Sequence, residues 1–145
     1  CMYYIEPEDF PLLDEVKEAL DKFLKYMHEE RDFSVSFVSD EEIKELNKEY
    51  RDIDAPTDIL TFRLADSDVD FPLGDEEDCE MGDIFISMES MRRNSKEFGV
   101  SENEELRRLL LHGLLHLRGL DHKSNDFSTE PMLVEQEKIL KEIFG

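Results

Sequence analysis

The sequence predicts an α/β (α+β) layer fold, a small mixed sheet of three to four strands with about five helices. Two observations carry this. Short segments alternating apolar and polar residues recur between longer segments whose apolar residues fall at helical period. Cap and turn residues stand at the junctions between them. Strands and helices interleaved along one chain bury their apolar faces by packing as layers. At 145 residues one domain spanning 1–145 is expected, large enough to bury roughly 68–70% of the unfolded chain's surface.

Each element has its own reason. A first edge strand is expected at 2–5. In 12–27, Leu13, Val16, Leu20, Phe23, Leu24 and Met27 form one helical stripe, with Pro11 just before it. Residues 33–38, FSVSFV, alternate as a half-buried strand. Ser39 and Glu42 stand in capping-box spacing at the head of a helix over 39–50. Pro56 blocks its continuation through DIDAPTD, and ILTFRL (59–64) is the next strand. The stretch 65–81 has turn residues and no period, and reads as a loop. GDIFIS (82–87) is a strand and 88–99 a helix closed by Gly99. Ser101 and Glu104 form a second capping box for a helix over 102–117, which Gly119 terminates. Thr129 and Pro131 introduce a last helix reaching about Phe144.

Composition narrows the function. The net charge of −21 repels phosphate at long range and argues against nonspecific nucleic-acid binding. The acid is concentrated, with eight acidic and no basic residues in 65–81. Arg92, Arg93 and Lys96 form a local basic spot on the helix over 88–99. They are candidates for a narrow positive groove, although a solvated helix face is the plainer reading. Cys1 and Cys79 make no CxxC pair, which fits a reducing compartment. No apolar run approaches the roughly 20 residues that span a bilayer, so a cytoplasmic protein without membrane partners is expected.

The most informative segment is HGLLHLRGLDH, residues 112–122. His112 and His116, four apart on a helix, share a face and can present both imidazoles to one ion. Gly119 lets the chain turn back, which brings His122 round as a third ligand. The metal site is thus expected on the helix 102–117 and the following turn. Three nitrogen donors with an open fourth position describe a catalytic zinc site. One Zn2+ is the expected cofactor, with nickel, copper or iron chemically possible. The spacing is that of zinc endopeptidases, except that Gly113 occupies the place of their glutamate base. Zinc acidifies water and acts as a Lewis acid without that glutamate, yet it supplies no proton shuttle for an amine leaving group. The chemistry therefore shifts from peptide hydrolysis toward phosphodiesters. Asp121 is either a partner for a ligand N–H or a cap on the turn. His28, in the acidic stretch MHEER, reads as solvated.

NKEYRDIDAPTDILTF (47–62), GDIFIS and HGLLHLRGLDH, in this order, resemble the YbeY family of bacterial endoribonucleases, the rRNA maturation factors. The resemblance covers nearly the whole chain. Ile59 and Leu120 replace the family's commoner valine and tyrosine. It implies a metallohydrolase domain with zinc ligands at His112, His116 and His122, and an essential arginine at Arg51. By itself Arg51 reads as a surface salt-bridge residue, whereas the resemblance implies a phosphate-binding fork. Thr57 and Asp58 match the family's turn and are expected to shape the loop, with lining the site as the lesser alternative. The implied activity is cleavage of single-stranded RNA in maturation of the small-subunit rRNA 3′ end and in ribosome quality control. Whether water or the RNA 2′-OH attacks is open. Implied partners are rRNA and small-subunit ribosomal proteins; the sequence does not give the oligomeric state. Two other readings stand beside it, a ribosome-associated assembly factor whose zinc is only structural, and a zincin-like protease, which the missing glutamate disfavours.

Overall fold

The computed structural model describes residues 3–63, 80–118 and 131–144. Among the described residues nine elements follow one another: β1 (Tyr3–Glu6), α1 (Leu13–Met27), β2 (Asp32–Val38), α2 (Asp40–Arg51), β3 (Ile59–Arg63), β4 (Glu80–Ser87), α3 (Met88–Phe98), α4 (Glu102–Leu117) and α5 (Pro131–Phe144). The sheet order is β1-β2-β4-β3. β1 and β4 run parallel to β2, and β3 is antiparallel to β4. The mixed four-stranded sheet and five helices agree with the expectation, and the edge strand near the N-terminus is present. β4 opens at Glu80, two residues earlier than expected; the rest of the acidic segment lies outside the described residues.

Strand alternation decides which face carries the core. Phe33, Val35 and Phe37 on β2 and Ile84 and Ile86 on β4 point to one face and are buried. Against them pack α1, through Val16, Leu20 and Phe23, and α4, through Leu106, Leu110 and Leu114. The opposite face carries Ser34 and Asp83, hydrogen-bonded to each other at 2.5 Å, and toward β3 an aromatic row. There Tyr50 of α2 meets Phe62, and Phe62 meets Phe85, both edge to face.

Gly82 has a structural reason for its place in β4. Its φ is 143°, and a Cβ there would lie 2.0 Å from the carbonyl oxygen of Phe62. Only glycine permits this close pairing of β3 with β4.

The junctions follow the caps in part. Ser39 and Glu42 form the full reciprocal box at α2. At α4 the Ser101 hydroxyl accepts from Glu104 N–H, so the box there is one-sided. Gly99 ends α3 in the left-handed region, as expected. His28 does the same for α1 and is exposed, so it is a helix terminator on the surface.

One polar cluster joins the N-termini of α2 and α3. Asp40 accepts from Ser87 Oγ at 2.5 Å and Ser90 Oγ at 2.7 Å, and pairs with Arg93 at 2.7 Å. The Arg93 guanidinium and the two serine hydroxyls outweigh the opposing effect of burial and hold the Asp40 carboxyl below its usual 3.8, at about 2. A depressed folded-state pKa stabilises the fold above the unfolded value and loses that contribution as pH falls through the folded one. Wild-type stability should therefore drop between about pH 4 and pH 2. Asp40→Asn should lose about 1–3 kcal/mol at pH 7 and show a flatter acid limb, read by urea denaturation across pH.

Candidate metal centre and the expected arginine

The helix that carries His112 and His116 lies unusually close to the sheet. A Cβ built on Gly113 would come within 2.9 Å of Ile84 Cδ1, 3.1 Å of Ile84 Cγ2 and 3.2 Å of Ile59 Cδ1. Gly113 thus faces the strands, with no room for a side chain. At about 100° per residue, His112 and His116 fall together on one flank of α4, away from the leucines that meet α1. Leu111 and Leu115, on the side turned away from the sheet, are buried as well, and α5 packs against α4. The histidine flank is therefore bounded by the sheet below and α5 above.

On that flank the two imidazoles meet edge to face, with ring centroids 4.6 Å apart. Their Nε2 atoms approach to 3.1 Å, and both residues are half-buried. Two nitrogens bound tetrahedrally to one zinc at 2.0–2.1 Å are about 3.3 Å apart, so the donor pair fits such an ion with little movement. Among the described residues, no cluster of three His, Cys, Asp or Glu forms. His122, the third expected ligand, and Asp121, Gly119, Leu120 and Thr129 lie outside the described residues.

Gln136 of α5 was not found by sequence reasoning. It is buried at 1% exposure, and its Oε1 is 2.7 Å from His112 Nδ1. The signal was present as a polar residue within the stripe of Met132, Leu133 and Ile139, all buried.

Arg51 is the last residue of α2 and is exposed. Its Nη2 donates to the Thr61 carbonyl at 2.7 Å, and its guanidinium carbon lies 5.8 Å from the Phe62 ring centre. Arg51 is thus braced against edge strand β3, which together with β4 supports α4 at Gly113. Further along β3, Arg63 Nε donates to the Leu117 carbonyl at 3.1 Å, placing a cation at the negative end of α4.

The loop between Arg51 and β3 is held by the motif's own polar residues. Asn47 is buried and donates to the Ala55 carbonyl at 2.9 Å. Asp52 turns the chain in the left-handed region. The Asp58 carbonyl accepts from Ser87 N–H at 2.9 Å, its carboxylate accepts from Asn94 at 3.1 Å, and Thr57 Oγ1 lies 3.4 Å from the same carboxylate. Thr57 and Asp58 therefore shape the loop, as expected. Asn94 also donates to Glu105 at 3.3 Å, and burial pushes the Glu105 carboxyl upward.

The expected basic spot on α3 is differently employed. Arg93 pairs with Asp40 and Arg92 with Glu102 at 3.4 Å. Both side chains are committed to acids of this chain, which favours the solvated face over a groove.

The model of the family described as Endoribonuclease YbeY matches residues 5–144. The chain belongs to the YbeY endoribonuclease family. A Treponema denticola protein named Endoribonuclease YbeY is 48% identical over 109 residues, covering 75% of this chain and 68% of its own. One of the same name from Thermotoga petrophila is 37% identical, covering 92% of this chain and 82% of its own. The solution structure of a Thermotoga maritima protein matches with a TM-score of 0.66 at 34% identity, over 99% of this chain and 90% of that one. No described helix is long and apolar enough to cross a membrane.

The contact at Gly113 makes a direct prediction. Gly113→Ala gains helix propensity of about 1 kcal/mol but forces Ile84 and Ile59 aside. A net loss of about 1–2 kcal/mol is expected from overpacking, measured by urea denaturation.

Proposed function

We propose that the protein is a metal-dependent, single-strand-specific endoribonuclease, with one Zn2+ held by His112, His116 and His122. The observation that carries this reading is the pair of imidazole Nε2 atoms 3.1 Å apart on α4, in a chain of an endoribonuclease family. Bound there, zinc would supply Lewis acidity toward a phosphoryl oxygen and acidify water.

The chain's own residues do the remainder. His112 and His116 orient the donor pair from a rigid helix whose distance to the sheet is set by Gly113. Arg51 spends one N–H on the Thr61 carbonyl, and this anchor fixes its position. The guanidinium carries further N–H donors in a planar fork suited to phosphate. Arg51 then offsets the negative charge that develops on the phosphodiester in the transition state. Gly113 supports nuclease over peptidase chemistry for a steric reason, since a glutamate at this position would meet Ile84.

The physiological role we assign is maturation of the small-subunit rRNA 3′ end and ribosome quality control in the cytoplasm. Recruitment through small-subunit ribosomal proteins accords with the net charge of −21, which opposes broad binding to RNA.

Cleavage of a single-stranded RNA by the zinc-loaded protein should stop with chelator and in His116→Ala. Cleavage that survives both treatments would sink the reading. Arg51→Ala should retain the fold by circular dichroism and lose about 10²–10³-fold in turnover, the scale of removing one transition-state donor. Unchanged turnover would remove Arg51 from the mechanism.

A further inference from the structure

Gln136 is the one polar residue among the buried positions of α5, which are otherwise Met132, Leu133 and Ile139. An amide buried without a hydrogen bond costs several kcal/mol in an apolar setting, so a glutamine in this stripe calls for a partner. The partner is His112, whose Nδ1 lies 2.7 Å from the amide oxygen. A carbonyl oxygen only accepts, so the hydrogen must sit on Nδ1. In a neutral imidazole that leaves the lone pair on Nε2. Nε2 is the atom that faces His116 Nε2 at 3.1 Å.

We propose that Gln136 is a positioning residue for the metal centre: its amide oxygen holds His112 as the Nδ1–H tautomer and aims the Nε2 lone pair at the ion shared with His116. The inference rests on the metal reading above, but its first half concerns the metal-free protein. Three features make the device effective. The glutamine arises from a different helix from the ligands, so it fixes the ring's rotation as well as its proton. It is 1% exposed, so its amide is shielded from water. Being neutral, it orients the ring without adding a charge to a flank where Glu137 already pairs with Arg108 at 3.2 Å. Packing of α5 on α4 thereby becomes part of the ligand set, because displacing α5 would free the His112 ring.

The test reads proton and metal separately. Long-range proton–nitrogen correlation spectra of the metal-free protein should show His112 protonated at Nδ1 and bare at Nε2. In Gln136→Met, similar in volume and lacking the strong acceptor, that signature should be lost. Zinc affinity, measured by chelator competition, should fall about 10–100-fold, the usual scale for losing such a partner. Gln136→Glu, which keeps an acceptor oxygen, should restore both. Circular dichroism and urea denaturation of each variant separate these effects from loss of fold. A wild-type His112 protonated on Nε2 would overturn the proposal, since the amide would then present its NH2 group. So would an unchanged zinc affinity in a folded Gln136→Met protein. A wild-type protein that takes up no zinc would overturn the metal reading itself, and with it Gln136's role there, while the tautomer result would still report the His112–Gln136 bond.

Discussion

The close approach of α4 to the sheet at Gly113 is the constraint on which the rest of the structure depends. With Ile84 and Ile59 filling the space where a side chain would stand, the helix can lie against β3 and β4 only in one rotation about its axis. That rotation sends Leu110 and Leu114 toward the core shared with α1. It leaves His112 and His116 on the flank between sheet and α5. A larger residue at 113 would lift or roll the helix, and both imidazoles would move with it. Protein interiors are packed too densely to absorb such a change without a shift.

The loop between α2 and β3 is held by backbone acceptors and short polar side chains. Asn47, Asp52 and Asp58 secure the loop that returns the chain from α2 to β3. Arg51, at the end of α2, then reaches the edge of the same strand. Through Asn94, Asp58 is also linked to Glu105 on α4. The loop, α3 and the histidine helix therefore share one polar network. The family motif around Arg51 reads in these terms mainly as a scaffold. Asn47, Asp52, Thr57 and Asp58 hold the loop, and Arg51 keeps donors beyond the one spent on Thr61.

Electrostatics divides the molecule in a similar way. The net charge of −21 comes from 38 acidic residues against 17 Lys and Arg, and several of the arginines are engaged internally. Arg93 and Arg92 meet Asp40 and Glu102, Arg108 meets Glu105 and Glu137, and Arg31 meets Glu29. Arg93–Asp40, Arg92–Glu102 and Arg108–Glu137 join one helix to another, whereas Arg108–Glu105 and Arg31–Glu29 are local pairs. Arg51 differs in having a carbonyl as its partner, which leaves the charge itself uncompensated at that contact.

By itself the sequence determined the elements and the donor pair, because both depend on local period. Apolar spacing marks α1, β2 and α4 whatever their neighbours, and histidines four apart share a helix face by geometry alone. The quoted motifs also determined the family. Strand order and the absent side-chain space at Gly113 were decided by tertiary structure, since each depends on groups distant in the chain. Gly113 is the clearest case. From sequence it marked a missing base; in the fold it is the point where helix meets sheet. Gln136 is the converse, a polar residue with no local signature beyond its place in an apolar stripe. Its partner lies 24 positions away, and only the packing of α5 on α4 brings the two together.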